Sequence, residues 1–181
     1  MANSQTRKII KERRLQEDHW KVVTPAAGEQ AIDVFLPFGP LLVPLAVWKA
    51  RKSSLIAREY EHGSLLGIWL APEDDPAEIA NDIGDFSVIA VHFPKAGDGR
   101  GYSTARLLRE RYGFTGELRA FGDIGRDQLF YLNRVGFDAF AIGEEPGVEN
   151  VEDALSAFDD FPETYQAASD QPEPLFRRRA A

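Results

Sequence analysis

Cysteine is missing altogether from these 181 residues. That excludes a disulfide scaffold, a thiolate nucleophile, a C-x-x-C redox pair and any iron–sulfur cluster held by the chain itself. Histidine is scarce: His19, His62 and His92 are too few and too scattered for a zinc cage, so neither metal nor cofactor is expected. No apolar run is long enough to span a bilayer, and the basic stretch Met1–Arg14 lacks the hydrophobic core of a secretory signal. The expected address is the cytoplasm, with no membrane partner. Positive charge is also in deficit, 21 Lys and Arg against 29 Asp and Glu, for a net charge of −8. Eight of those cations sit in the terminal stretches Arg7–Arg14 and Arg177–Arg179, which leaves 13 cations facing 28 acids between Leu15 and Phe176. Such a body repels phosphates, so nucleic acid is not an expected partner. Plain solubility, or a basic partner, fits it better.

What is present suits a globular protein. Hydrophobic residues make up 44% and charged residues 28% of the chain, and at this length folding hides roughly 70% of the surface without disulfides or metal. Residues 1–42 read as an N-terminal extension in which Arg7–Arg14 and Trp20–Val23 form short strands around a polar turn at Glu17–Asp18. Residues 43–166 read as an α/β domain, and 167–181 as a flexible basic tail. The domain opens with a helix from Val43 to Tyr60, Pro44 near its start. Leu65–Leu70, Ser87–Phe93, Glu117–Phe121 and Asp138–Ile142 are short and mostly apolar, as in strands covered on both faces. Between them fall a helix capped by Asp75, with Pro76 and Glu78, ending near Gly84; a helix over Ser103–Tyr112 stopped by Gly113; and a helix over Ile124–Val135 stopped by Gly136. Asn150–Phe161 is a last amphipathic helix.

Repeated βα units joined by helix-length crossovers require parallel pairing, right-handed at each crossover. The expected fold is therefore α/β with a parallel sheet, partial (β/α)-barrel-like. Four or five strands cannot close a barrel, so an N-terminal segment, the last helix or a second copy of the chain would have to complete it. A homo-oligomer is thus left open, and an open flavodoxin-like sheet is the alternative.

Ligands of parallel α/β folds approach the carboxyl ends of the strands. Arriving there are Glu73-Asp74-Asp75, His92-Phe93-Pro94-Lys95, Gly122-Asp123 and Gly143-Glu144-Glu145. The densest pattern is Lys95-Ala96-Gly97-Asp98-Gly99-Arg100-Gly101-Tyr102-Ser103, a glycine-bearing loop ending at a helix N-terminus. Its candidate binding residues are Lys95, Gly99, Arg100, Gly101 and Ser103, for a small oxyanion or phosphate. Against this stands a simple turn in which Asp98 or Ser103 caps the helix while Arg100 makes a surface ion pair. Arg126, in Gly122-Asp123-Ile124-Gly125-Arg126-Asp127-Gln128, is expected at the same rim, paired with Asp98 or Asp123. Asp98, Asp123 and His92 are the candidate proton-transfer groups, although Asp123 equally suits a helix cap and His92 a structural imidazole. Arg106, Arg109 and Arg111, with Glu110 and Glu117, read as a solvated outer face.

Several of these stretches together resemble a bacterial family. They are Phe93-Pro94-Lys95 with Asp98–Ser103, Ala105–Arg109, Leu118–Asp123, Arg126–Leu129, Gly136–Phe140 and the closing Pro174–Arg179. Its members are labelled as oxidoreductases of sulfite reduction and described as a domain of unknown function. The resemblance implies a setting beside the sulfite reductase haemoprotein and phosphoadenylyl-sulfate reductase, without assigning an active site. Six-electron sulfite reduction uses sirohaem with an iron–sulfur cluster, which a chain without cysteine cannot ligate. The expectation is therefore an accessory or partner protein of assimilatory sulfite reduction, with the haemoprotein as its partner. The alternatives are a barrel-like enzyme acting on a small phosphate or sulfur oxyanion, and the oxidoreductase of the family label.

Overall fold

The computed structural model describes residues 7–62, 65–95, 97–142, 151–160, 164 and 166–178. Eight strands form one sheet: β1 (Arg7–Lys11), β2 (Arg14–Asp18), β3 (Lys21–Val22), β4 (Leu41–Pro44), β5 (Leu66–Leu70), β6 (Val88–Phe93), β7 (Glu117–Gly122) and β8 (Ala139–Ile142). Their order across the sheet is β2-β1-β8-β7-β6-β5-β4-β3. From β3 to β8 every neighbouring pair is parallel, while β1 is antiparallel to both β8 and β2.

The sheet is curled, and chain length alone requires it. Eight flat strands would hold β2 and β3 about 34 Å apart. Only His19 and Trp20 join those two edges, a span of at most about 11 Å. β2 and β3 run in the same direction, so residues 14–22 act as one bent strand that pairs with β1 first and β4 afterwards. Lys21 N donates to Pro40 O and Val23 N to Leu42 O at 3.0 and 2.8 Å, continuing the β4 side of that pairing. The result is an α/β half-barrel-like sheet in which the N-terminal segment bridges the edges. The turn expected at Glu17–Asp18 instead falls at Glu12–Arg13, where both residues adopt left-handed φ, 52° and 57°. A two-residue hairpin needs that geometry to match strand twist, and no glycine marks it in the sequence.

The helices are α1 (Leu45–His62), α2 (Arg100–Arg106), α3 (Arg126–Arg134), α4 (Val151–Ser156) and α5 (Leu175–Arg178). A π-helical turn, Leu107–Arg111, extends α2. Val43 and Pro44, read as the beginning of the first helix, belong instead to strand β4. Pro44 pairs opposite Trp69 at the strand's last position, where a missing N–H is tolerated. The repeated βα pattern holds only in part, because the crossover after β5 carries two 3-10 turns, Pro76–Ile79 and Ile83–Asp85, in place of a helix. Asp75 does cap there, accepting from Ala77 N at 2.9 Å. Asp82 turns away to accept from Trp48 Nε1 and Lys52 Nζ of α1.

The two faces of the sheet bury different chemistry. One carries Leu41, Val43, Ile68, Ile89, Val91, Leu118 and Phe140 against Trp48, Leu55, Leu108 and Leu129 of the helices. The other carries Leu42, Val88 and Ala90 with Trp20, Val22, Trp69 and Phe121. Arg119 also belongs to that concave side, since it is paired across the sheet with Ala90 and Ala139. Its guanidinium is buried: Nη1 donates to both Asp18 oxygens at 2.9 Å and Nε to Glu117 Oε1 at 2.8 Å. Lys11 Nζ meets Glu117 Oε2 at 2.9 Å, and this bond is the first cause holding the lysine above its ordinary pKa. Two cations and two carboxylates therefore tie β1, β2 and β7 together inside the curl. Strand β2 ends on this network, at Asp18.

Beyond β8, Ser169 of the segment read as a flexible basic tail donates its N–H to Arg134 O of α3, and Arg134 Nη2 donates to Gln166 O just before that segment. The expected residues Gly143–Glu145, Asn150, Phe161 and Arg179 lie outside the described residues.

Candidate functional site

The carboxyl ends of β6 and β7 are locked side by side. Phe93 pairs with Gly122, and Asp123 N donates to Phe93 O at 2.7 Å. Gly122 has φ +104°, and a Cβ there would lie 2.3 Å from Phe93 O, so only glycine fits both the conformation and the approach. The loops after Phe93 and after Gly122 thus leave the same edge, as the sequence predicts. The expected common pocket does not follow, because the two arginines turn in different directions.

Arg100 turns back on its own loop. Its Nε and Nη2 donate to Asp98 at 3.0 and 2.6 Å, and its backbone N–H donates to Asp98 Oδ1 at 3.1 Å. Those hydrogen bonds hold the Asp98 carboxyl down to about 2, so it is ionised throughout the physiological range. This is the simple-turn arrangement, with Asp98 closing the start of the helix. Ser103 lies inside α2, which begins at Arg100, and caps nothing. Gly99 precedes the helix. Gly101 packs under Phe93, where a Cβ would come within 2.4 Å of the ring. Lys95 is exposed on the loop.

Arg126 contacts neither Asp98 nor Asp123; its bonds go to α4 and the turn beyond. Nε donates to Asp153 Oδ1 at 3.1 Å, Nη1 to Asp160 Oδ2 at 2.9 Å, and Nη2 to Ser156 Oγ and Asp160 Oδ1. A guanidinium forks readily onto any carboxylate in reach, and α4 with the turn beyond it supplies two. Asp123 is exposed and is not the cap of α3. That position belongs to Gly125, whose N–H donates to Gln128 Oε1 at 2.9 Å.

His92 sits between these loops on the concave side. Its ring stacks on Phe121 with centroids 4.9 Å apart and meets Trp69 edge-on at 5.9 Å. Burial pushes its pKa below the ordinary histidine value, against the opposing charge of Glu73. It is therefore neutral at pH 7. Trp69 fixes the platform, its Nε1 donating to Val23 O at 3.0 Å. The mouth of the curl thus offers a half-buried aromatic trio with a neutral imidazole, one rim of which carries Lys95 and the Asp98–Arg100 pair. A neutral imidazole there can accept a proton from a small molecule resting on the rings.

Arg109 is no part of a solvated face. It donates to the carbonyls of Phe114, Gly116 and Gly136 and to Asp138 Oδ2, at 2.7 to 2.9 Å. It lines a cavity of about 400 Å³ with Asn133 and Asp138, at the end of the strands opposite His92. Glu117, expected beside it, lies inside the curl. Arg106 and Glu110 do form an exposed ion pair. Sequence reading missed the Arg119–Asp18–Glu117–Lys11 network and the Trp69 platform. The signal was there in β7, where the charged Glu117 and Arg119 alternate with the apolar Leu118 and Ala120, a period-2 charged pair inside an otherwise apolar strand.

The chain belongs to the family described as "Bacterial protein of unknown function (DUF934)", which matches residues 67–176, more than half of its length. The matched stretch runs from within β5 to α5. It holds the β6 and β7 loops, His92 and Arg119, and leaves out the N-terminal strands that bridge the sheet. No curated protein matches the chain. Among the described residues, no helix is long and apolar enough to cross a membrane.

Proposed function

We propose that this chain is a cytoplasmic accessory protein of assimilatory sulfite reduction, docking on the sulfite reductase haemoprotein and not carrying the redox centre. One observation favours a docking role over small-anion chemistry. Arg100 and Arg126, two of the three cations expected to hold an oxyanion, are each already bonded to carboxylates of this chain. An entering sulfite or phosphate would have to displace Asp98, or Asp153 and Asp160, before either arginine could turn to it. The resemblance to a family labelled for sulfite reduction supplies the setting, and the absence of cysteine leaves the cluster chemistry to the partner. The accessory task would be to help deliver electrons, sirohaem or sulfite. Affinity purification of the tagged protein from bacteria grown on sulfate as sole sulfur source should co-purify the haemoprotein in low salt. Repeated recovery of the protein without it overturns the proposal.

A second reading rests on His92. Neutral, half-buried and stacked on Phe121 at the carboxyl edge, it suits a proton acceptor in an enzyme acting on a small phosphate or sulfur oxyanion held from Lys95 and Arg100. Asp98 and Asp123 would be the alternative proton carriers, and Arg126 would have to leave its present partners to take part. Thermal-shift measurements with sulfite, sulfate and phosphate separate the two readings. A shift abolished by Arg100→Ala favours the enzyme, and no shift favours the docking protein. The family's oxidoreductase label is tested by the visible spectrum of the freshly purified protein, since a bound flavin or haem would colour it.

A further inference from the structure

The excursion between β3 and β4 exposes more apolar surface than folding requires. Phe35 and Phe38 are 79% and 77% exposed, and Ile32 is 54% exposed. Nothing about the loop is loose, however. Val34 is buried beneath it, and three cations grip its backbone: Arg51 Nη1 donates to Val34 O at 2.6 Å, Arg58 Nη2 to Pro37 O, and Lys21 Nζ to Phe38 O at 2.8 Å. The Arg58 guanidinium also lies over the Phe38 ring. Among the described residues, none of these three cations forms an ion pair with a carboxylate. Elsewhere on this acidic chain, Lys49, Lys52, Arg100, Arg106 and Arg126 all do. Burial and then the charge of Arg51 lower the pKa of Arg58, as two uncompensated cations side by side would. Of the two acids on the excursion, Glu29 is engaged with Ala26 N and Asp33 is exposed.

Two outward phenylalanines over three cations without carboxylates form a surface with a definite complement. We propose that the segment Ile32–Phe38 is a docking surface for an acidic segment of another protein that also carries apolar side chains. The rings would bury against that segment's apolar residues, while its carboxylates meet Lys21, Arg51 and Arg58. Charge favours this occupant over two others. An anionic bilayer would present its charge to the whole acidic body within a Debye length of about 8 Å, whereas a narrow segment meets only the patch. A second copy docking patch to patch would bring six cations face to face. The inference is independent of any role in sulfite reduction.

The test replaces Phe35 with photoreactive benzoylphenylalanine in the full-length protein, with Arg106→benzoylphenylalanine as a control elsewhere on the surface. After irradiation in living bacteria, cross-linked peptides are sequenced by mass spectrometry. The expected adduct at position 35 joins a net-negative segment of another protein containing apolar residues. It should fall at least tenfold with Phe38→Ser or when lysates are irradiated in 0.5 M salt, and the control should not form it. Adducts with lipid, with this chain itself or with a basic segment overturn the proposal, as does no adduct at all. An acidic partner unrelated to sulfite reductase upholds the surface while leaving the accessory role to stand or fall on its own purification experiment.

Discussion

The two faces of this one sheet solve burial in opposite ways. Toward the helices, Leu118, Ile89 and Ile68 lie in an apolar layer with Leu108, Leu129 and Trp48, where non-directional hydrophobic contact suffices. Toward the concave side, one residue along the same strand, Arg119 is equally buried but must be matched by Asp18 and Glu117 in particular geometries. The apolar face tolerates changes of shape up to a limit. The ionic face is intolerant of losing a single partner, because a buried charge left alone keeps its desolvation penalty. The difference teaches where specificity resides: hydrophobic packing holds the helices on, and the ionic network selects which strand bridges the sheet.

The largest effect is expected on the ionic face. Arg119→Met should lower the free energy of unfolding in urea by about 3–5 kcal/mol, since it leaves the buried Asp18 without its cation and Glu117 with Lys11 alone. Adding Asp18→Leu should recover part of that loss. A single-variant cost below about 1 kcal/mol would show that the network does not hold the curl. Its neighbour on the opposite face sets the comparison: Leu118→Ala should cost about 2–4 kcal/mol by the same measurement, as a cavity that the helices partly fill. If the two variants change places, the division of labour between the faces is wrong.

A smaller effect should appear with pH at the mouth. His92 has a folded pKa below the 6.5 of an ordinary histidine, so below pH 6.5 the unfolded chain takes up more protons at this position. Its contribution is complete above pH 6.5 and is lost as pH falls toward the folded value. The drop in urea midpoint from pH 7.5 to pH 5.0 should therefore be less in His92→Gln than in the parent. An unchanged drop would mean that the ring titrates freely in water. The smallest effect is predicted on the rim, where Asp98 and Arg100 form a short-range surface pair. Arg100→Ala should leave the thermal midpoint within a degree or so of the parent, as exposed pairs generally do, and a large drop would reveal a structural role that the geometry does not show.

Legibility followed the same division. The strands from Leu66 to Ile142 are readable in sequence because each is a short apolar run between turn signals. The stops at Gly113 and Gly136 are readable because helices end on residues that accept positive φ. β4 was hidden by Pro44, which marks a helix start as readily as a strand end, and the hairpin turn was hidden because Glu12 and Arg13 carry no turn signature. At the candidate site, the convergence of the two loops follows from parallel pairing and could be foreseen. The orientations of Arg100 and Arg126 could not, because several carboxylates lay within reach of each and sequence spacing does not rank them. Arg119 illustrates the converse: alternation along β7 marks the face it occupies, but its partner Asp18 lies 101 positions away and no local pattern names that partner.

The bridging of the sheet by its first strands also sets the order in which the protein can be made. β1 pairs with β8, Lys11 against Ala139, so an early-emerging hairpin must wait for the last strand among the described residues before it finds a place. At about 5–20 residues per second of synthesis, the delay is on the order of ten seconds. Throughout that interval a nascent chain carries an unpaired edge containing Ile9 and Ile10, the kind of exposed strand edge that invites mispairing until β8 covers it.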